Sequence, residues 1–414
     1  MILYRLFLWL YPVIAKLISP FNEKAKHWVN GQAAVWEEIE MQRAKINGPI
    51  IWVHCASYGE FEQGLPIIKS LKINYPLHQI WVSFFSPSGY LHRKQDAEVD
   101  FVTYLPLDGP KAAARWMELV QPKCIVFIKY EFWFYYLKNA AAKNIPTILA
   151  SAIFRPDQVF FTFYGRFYRK MLQLFTAILV QDKASAALVR PLLTPTQLSI
   201  SGDTRFDRVV EIVAGKETID WVNRLADKEI IVAGSTWEKD HGLLGNVVTK
   251  WNELNWIIVP HHVDSESINE CQKYFPNAII FSEWVKSSES KMEKPIVLII
   301  DQIGLLRNLY QYAKIAYIGG GFTKDGIHNV LEAAAFGKPV IWGPNDAKFQ
   351  EAIGLRSAGG GIKIEDEISL NKAIDSLLTN SETYKNKSEA AKDYVLQNAG
   401  ATQKTIEKIK QIYV

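Results

Sequence analysis

Two doubly wound α/β domains, preceded by an amphipathic apolar segment and closed by a helix, are predicted by three features of this sequence. From Pro49 onward, apolar runs of strand type alternate with helical patterns, as in a parallel sheet covered by helices on both faces. At 414 residues the chain is too long for one ordinary core, at roughly 100 to 200 residues per domain. Residues 318–344 combine a glycine turn, a helix start and a buried run, which makes one β-α-β unit legible on its own.

The strand-like runs of the first series are 50–54, 80–85, 124–128, 147–150, 177–180 and 198–201. A second series follows at 230–233, 256–259, 278–281, 296–300, 315–318 and 340–342, and a last strand-like piece covers 359–364. The boundaries that follow are a membrane-associated segment over 1–25, a first Rossmann-like domain over 26–212 and a polar linker over 213–228. A second Rossmann-like domain then covers 229–395, and a charged C-terminal helix over 396–414 packs back on the protein. In such a pair the ligand is expected in a central cleft, at the carboxyl ends of the two sheets.

Composition narrows the function. A formal charge of +4 on this length does not imply nucleic acid as a partner. Cys55, Cys124 and Cys271 are far apart and form no CxxC pair, which argues against a zinc site or a disulfide framework and fits a reducing compartment. Aromatic residues (13 Trp, 18 Tyr, 21 Phe) concentrate in the first half, an asymmetry that needs a cause.

Residues 1–20 are apolar but interrupted by Arg5, Pro12 and Lys16, so the longest uncharged run falls well below the roughly 20 residues that span a bilayer. A helix lying in the interface is expected, with Trp9 and Tyr11 at headgroup level and Arg5, Lys16, Lys24 and Lys26 towards anionic lipid. The competing reading is an amphipathic helix packed on the protein itself.

Candidate chemistry gathers at the ends of strand-like runs. The first run ends in His54-Cys-Ala-Ser-Tyr-Gly-Glu60. Gly59 is read there as a tight turn that leaves Glu60 at a strand-to-helix loop, where a carboxylate can act as general base. The plain alternative is a glutamate favoured by a helix N-terminus. Residues 83–90, with Ser86, Ser88 and Gly89, form a polar loop on the same edge, either a hydroxyl or phosphate site or an ordinary capping turn. Lys129 and Glu131 stand among aromatics at the end of a buried run, where charges are expensive without partners or a task. Over 154–170 seven aromatics interleave with Arg155, Arg166, Arg169 and Lys170, which reads as a phospholipid-facing surface or as a core helix with snorkelling cations. Residues 201–207 close the first domain and would send Arg205 towards the cleft.

In the second domain, residues 234–240 supply N-cap hydroxyls after a strand, a plausible phosphate site, and Pro260-His261-His262 ends the next strand. No carboxylate cluster accompanies the histidines, so no metal is expected. Gly319, Gly320 and Gly321 let the backbone turn sharply and approach a ligand. A helix starting near Ile327 would place Asn329 and Glu332 on one face, with His328 and Glu332 at i, i+4. Its free N–H groups favour an anion, and Glu332 either accepts from sugar hydroxyls or is simply solvated.

Taken in order, these motifs resemble the 3-deoxy-D-manno-octulosonic acid (Kdo) transferase family, which adds Kdo to the lipid A precursor of Gram-negative bacteria. The resemblance spans nearly the whole chain: the apolar N-terminus, ASYGEFEQG at 56–64, SFFSPSGY at 83–90, YLPLD at 104–108, SGDTRFD at 201–207, GSTWEKD at 234–240, and GGGF with HNVLEAAAFGKPVIWGP. It implies a GT-B glycosyltransferase at the inner membrane, peripheral or N-terminally anchored on the cytoplasmic face. The first domain would bind the acceptor, lipid IVA, and the second the donor, CMP-Kdo. The mechanism would be inverting, with CMP-Kdo as a substrate and neither cofactor nor metal. The family's base falls on Glu60 and its second acidic residue on Glu131. Donor contacts fall on Arg205, Ser235, Thr236, His261, Asn329 and Glu332 with the 319–321 turn, and Ser57, Gly59, Ser86, Ser88, Gly89, Lys129 and Arg155 belong to the acceptor side. Where many members have Pro-Arg-His this chain has Pro260-His261-His262, so the phosphate role of His261 is in question and Arg205 or Lys348 would compensate. Two rival readings are another GT-B enzyme, such as a UDP-sugar transferase or epimerase, and a non-catalytic membrane-bound sugar-nucleotide binding protein.

Overall fold

The apolar runs become two seven-stranded sheets in which every pairing is parallel. The computed structural model describes residues 1–93, 98–287 and 292–413. Two compact units divide the chain: Met1–Arg208 with the segment from Ala399 on, and Val209–Asn398.

The first unit contains β1 (Ile50–Cys55), β2 (Gln79–Phe84), β3 (Phe101–Tyr104), β4 (Pro122–Ile128), β5 (Thr147–Ala152), β6 (Ala177–Val180) and β7 (Leu198–Ile200), in the order β3-β2-β1-β4-β5-β6-β7. Burial on both faces explains why β1 and β4 read as near-continuous hydrophobic runs. The edge strand β3 is absent from the sequence expectation. It is four residues long, and its neighbour β2 is joined at the edge by Ile80 N–H donating to Asp100.

The aromatic asymmetry has its cause in this core. Trp52, Trp81 and Trp116 are fully buried and meet in pairs, with ring centroids 5.0 Å apart for Trp52 and Trp116 and 5.7 Å for Trp81 and Trp116. Their polar tips are matched where the sheet allows, Trp52 Nε1 donating to Ser83 and Trp81 Nε1 to Thr103. In the 154–170 segment Phe154 and Phe160 join this core, and Arg169 donates to the carbonyls of Phe160 and Thr162. Of the segment's aromatics only Phe163 and Tyr164 stand well out, Phe163 at 94% exposure.

Helix α1 (Ile2–Ile18) and helix α2 (Glu23–Arg43) belong to this unit rather than forming a separate segment. Tyr4 anchors α1: its hydroxyl donates to Asp108 at 2.5 Å and accepts from the Phe134 N–H. Tyr11, expected at headgroup level, turns inward onto Trp28 (4.9 Å) and Phe85 (5.4 Å). Arg5 donates to the Tyr135 hydroxyl. Ile2, Leu3, Leu6, Trp9 and Leu17 remain exposed, so α1 has one face on the protein and one apolar face outside. Among the described residues no helix is long and apolar enough to cross a membrane.

Helix α3 (Tyr58–Asn74) follows β1, and helix α4 (Pro87–Arg93) follows β2. Gly59 does not make a turn. It is the second residue of α3, with nothing nearer than 3.8 Å to the place a Cβ would take. Gly89 is required by packing, because a Cβ there would lie 2.1 Å from the Phe84 ring. The helix Ala401–Ile412 packs on α3 and sends Ile406 and Ile409 into the first core. Its start is capped by Asp207, which accepts from the Gly400 and Thr402 amides. Val414 lies outside the described residues.

The second unit holds β8 (Ile230–Thr236), β9 (Asn255–Pro260), β10 (Ile279–Ile280), β11 (Val297–Ile299), β12 (Ile315–Ile318), β13 (Val340–Trp342) and β14 (Gly361–Lys363), ordered β10-β11-β9-β8-β12-β13-β14. The stretch expected as a polar linker is built into it. A 3-10 turn at Asp220–Arg224 buries Val222, Leu225 and Ala226 follow it into the interior, and Arg224 covers the Trp284 ring at 4.4 Å.

The two glycines after β1 and β2 give a test of these positions. Gly59→Ala should raise stability by about 0.5–1 kcal/mol, the usual gain for filling an exposed helical glycine. Gly89→Ala should cost about 1–3 kcal/mol, the range for forcing atoms into a filled core. Urea unfolding of both variants checks this, and equal effects would contradict the placement.

Candidate active site

A switch point in the strand order lies between β1 and β4 in the first sheet and between β8 and β12 in the second, where β11 also inserts between β9 and β10. At such a switch point the connections leave in opposite directions and open a crevice at the carboxyl ends of the strands. The predicted site residues therefore divide into two groups, one per unit.

In the first unit Glu60 is the third residue of α3, directly after β1, and its partly exposed carboxylate accepts from the Ser57 hydroxyl. Across the switch point, Glu131 follows β4 and is only 8% exposed. Glu131 Oε2 accepts from Trp133 Nε1 at 2.6 Å and meets His54 Nε2 at 2.9 Å, while His54 Nδ1 meets Ser83 Oγ at 2.8 Å. Ser83 Oγ also accepts from Trp52 Nε1. With Glu131 ionised, one proton assignment satisfies every member: Trp52 donates to Ser83, Ser83 to Nδ1 of a neutral His54, and His54 Nε2 and Trp133 to Glu131. This chain fixes Glu131, whereas Glu60 stands nearer the surface. The charges of both reach the buried thiol of Cys55 and add to the upward push that burial gives it.

Tyr130 lies between the other charged candidates. Burial raises its hydroxyl, Arg155 and Arg205 pull it down, and Glu60 and Asp203 push it up. Arg205 belongs to this unit and is held by Asp203, its Nη2 at 2.7 Å and Nε at 2.9 Å. Asp203 in turn accepts from Gln63, which also donates to Ser151. Lys129 and Ser151 have positive φ, 68° and 54°, strained for residues with a Cβ. The Lys129 ammonium lies 5.1 Å from the Tyr130 ring centre, and Arg155 is exposed. Ser86 and Ser88 bond to each other at 3.1 Å at the start of α4, the capping arrangement rather than an open polar loop.

In the second unit the three glycines approach the protein's own backbone. A Cβ on Gly319 would lie 2.3 Å from the Ser235 carbonyl, on Gly320 2.4 Å from the Gly326 carbonyl, and on Gly321 2.5 Å from the Gly343 nitrogen. Only Gly320 has a positive φ. The Gly319 amide donates to Gly234 and the Gly320 amide to Asp240, so neither is left for an anion. Asp240 is the pin of this site, accepting also from Trp237 N–H (2.9 Å) and the Tyr317 hydroxyl (2.7 Å), and burial raises its carboxyl. Asp240 and Glu238 also fill the first turn of the helix Glu238–Lys250, so that N-terminus is not the open phosphate seat expected from its hydroxyls. Thr236, 1% exposed, is occupied with His241 and the Val259 carbonyl. Ser235 is partly exposed with φ 53°.

The helix expected from Ile327 begins at Leu331 and runs only to Ala335. Gly326, at φ 88°, and the His328 N–H donating to Gly319 hold the preceding residues in an irregular turn. Asn329 still meets Glu332, donating to it at 3.1 Å while accepting from the Leu331 N–H. The Glu332 charge reaches the buried Tyr310 hydroxyl, which crowds Gly234 at the end of β8. His261 lies in a stack, 4.6 Å from Trp237 and 4.3 Å from His328, and Trp237 Nε1 donates to His328 Nε2 at 2.8 Å. Burial lowers His261, and burial with the neighbouring His261 lowers His328 to about 4. The stack is therefore neutral at neutral pH.

Sequence reasoning missed His54, Tyr130, Trp133, Trp237, Asp240 and the stacking role of His328. For His54 the available signal was a polar residue inside an otherwise apolar strand run. Among the described residues no group of three or more His, Cys, Asp or Glu could hold a metal ion.

Comparison with known proteins adds independent findings. A family model described as 3-Deoxy-D-manno-octulosonic-acid transferase (kdotransferase) matches residues 32–208. The chain is 27% identical to the 3-deoxy-D-manno-octulosonic acid transferase of Haemophilus influenzae, over 87% of this chain and 86% of that one. It is 29% identical to that of Aquifex aeolicus, over 80% and 86%. Among solved structures, UDP-GlcNAc 2-epimerase from Neisseria meningitidis superposes with a TM-score of 0.62 at 14% identity, covering 88% of this chain and all of that one. MurG from Acinetobacter baumannii gives 0.54 at 12%, covering 88% and 100%. These structural likenesses place the chain in the GT-B-like α/β class.

Burial lowers both His241 and His328 to about 4 from 6.5, so each takes up a proton on unfolding at pH values between those limits. The stability they contribute is complete above pH 6.5 and falls as the pH drops towards 4; Asp240, raised by burial, opposes it. For fully buried His241 the loss is about 2–3 kcal/mol at about 1.36 kcal/mol per unit. His241→Gln should flatten this pH slope of the unfolding free energy in chemical denaturation; an unchanged slope would exclude His241 as its source.

Proposed function

We infer that this chain, a member of the 3-deoxy-D-manno-octulosonic-acid transferase family, transfers Kdo from CMP-Kdo to the lipid A precursor, with Glu60 as the base. The observation that carries the base is the contrast at the first switch point. Glu60 is partly exposed at the start of α3 with one neighbouring hydroxyl, while Glu131 is buried and held by His54 and Trp133.

In this reading an acceptor hydroxyl attacks the anomeric carbon of Kdo from the face opposite CMP. The new carbon–oxygen bond forms as the bond to the phosphate oxygen breaks, the leaving CMP keeps the electron pair, and Glu60 takes the hydroxyl proton. Configuration inverts. Glu131 is assigned a positioning role, its Oε2 held by His54 and Trp133. Arg155, Lys129 and Arg205 near Tyr130 suit a phosphorylated acceptor. On the donor side Ser235, His261, His328, Asn329 and Glu332 offer neutral donors, stacking faces and one carboxylate for sugar hydroxyls. Thr236 and the amides of Gly319 and Gly320 shape the site without touching the donor. No metal or cofactor enters this scheme. The exposed apolar face of α1 supports peripheral attachment at the inner membrane, on the cytoplasmic side where a nucleotide-activated sugar is available.

The fold alone would equally suit a UDP-sugar enzyme, since the epimerases share it at 14% identity; the sequence relatives decide between the readings. Mass spectrometry of the lipid after incubation with a tetraacylated lipid A precursor and a CMP-Kdo generating system tests transfer. We expect a Kdo-sized increment, and Glu60→Gln should lower turnover by a factor on the order of 100 or more, the scale of general-base help, with CMP-Kdo binding nearly intact. Unchanged turnover in the variant would refute the role of Glu60.

A further inference from the structure

A cavity of about 330 Å³ opens beside Glu131 in the first unit, at the low end of the roughly 300–1,000 Å³ typical of ligand pockets. Its walls are Tyr4 and Phe7 of α1, Tyr130, Phe132 and Trp133 of the loop after β4, and Tyr168, with Glu131 the only carboxylate. Two of the polar tips are already spent. The Tyr4 hydroxyl is bonded to Asp108 and the Phe134 N–H, and the Trp133 N–H to Glu131. The walls thus offer mainly ring faces, which favour an apolar occupant over a sugar that needs several convergent hydrogen bonds.

The mouth of the cavity points the same way. Phe7 lines the cavity and is itself 43% exposed, and it shares α1 with the exposed Leu3, Leu6 and Trp9. An apolar path therefore leads from the outer face of α1 to the carboxylate that the proposed chemistry places beside the acceptor. We propose that this cavity holds one hydrocarbon chain of the acceptor lipid, drawing the acceptor by its acyl part to the Glu131 side of the switch point. The proposal rests on the acceptor being an acylated glycolipid; the cavity is too small for more than a part of such a molecule.

The test compares two acceptors, the acylated disaccharide bisphosphate and the same compound with its acyl chains removed. Phe7→Trp, which fills the cavity from a half-exposed position, should raise KM for the acylated acceptor roughly tenfold or more, the scale on which apolar pockets discriminate. Its kinetics on the deacylated acceptor should match those of the unaltered protein. Equal changes on both acceptors, or none on either, would overturn the proposal. Failure of the unaltered protein to modify either acceptor would instead overturn the functional reading. As a readout independent of activity and of any variant, the protein can be irradiated with a lauroyl amphiphile carrying a diazirine at the chain end. Labelling of residues 130–133 and of Tyr168 is expected, while label confined to Leu3, Leu6 and Trp9 would show surface adsorption only and refute the cavity's role.

Discussion

The direction of the strands governs everything else in this molecule. In a parallel sheet all carboxyl ends lie along one edge, and where the strand order reverses the connecting helices depart to opposite faces and leave that edge uncovered. Reversal between β1 and β4, and again between β8 and β12, determines which four loops can meet a ligand. Glu60, Glu131 and the 319–321 turn follow three of those strands, and Ser235 is the last residue but one of the fourth, β8. Their positions follow from topology before any side-chain detail is considered.

Polar groups at such an edge have to be both available and affordable, and the two units solve this differently. A carboxylate removed from water costs several kcal/mol unless hydrogen bonds replace its hydration. In the first unit Glu131 is satisfied by side chains through a relay reaching back to Trp52 inside the sheet, so the core aromatics and the site share one network. In the second unit Asp240 is satisfied mainly by backbone, accepting from Trp237 and Gly320, and so couples the ends of β8 and β12 directly. The first arrangement fixes a side chain at the sheet edge; the second fixes the loops themselves.

What the sequence made legible was whatever depends on pattern. Continuous apolar runs gave the buried strands of both sheets to within about three residues, β3 excepted, since strands covered on both faces are built from apolar side chains throughout. Glu60 and Glu131 stand out in the sequence because a charge after a buried run is conspicuous, while the roles given to them come from the family resemblance. Less was legible where a residue's role depends on what approaches it from far along the chain. Gly89 looks like a loop glycine until Phe84 is seen against it, and the three glycines of 319–321 look like a ligand cradle until Ser235, Gly326 and Gly343 fill the space. Thr236 reads as an exposed hydroxyl, yet His241 claims it. The helix start was misplaced by four residues because the periodicity from Ile327 on is helical, while the left-handed Gly326 and the His328 bond to Gly319 impose a turn. Buried networks such as Trp52–Ser83–His54 leave little local signal, because the hydroxyl that joins Trp52 and His54 of β1 comes from the neighbouring strand β2.

The histidine at 261 shows how one exchange alters the kind of contact and not only its strength. An arginine in the corresponding place would bring a permanent charge and a fork of donors suited to phosphate. His261 instead stacks across Trp237 and His328, 4.6 and 4.3 Å from their ring centres, while those two rings lie nearly coplanar, 6.1 Å apart. Two protonated imidazoles at about 4 Å would repel by about 1 kcal/mol in water and about 4 kcal/mol near a protein surface, so the stack disfavours protonation of both histidines together. The Trp237 bond to His328 Nε2 reinforces this, because it requires a lone pair on that nitrogen. The same geometry that orders the three rings thus withholds positive charge from them. A ligand at this end of β9 would be recognised by ring faces and neutral N–H groups, and the charge of any phosphate would have to be balanced by other groups.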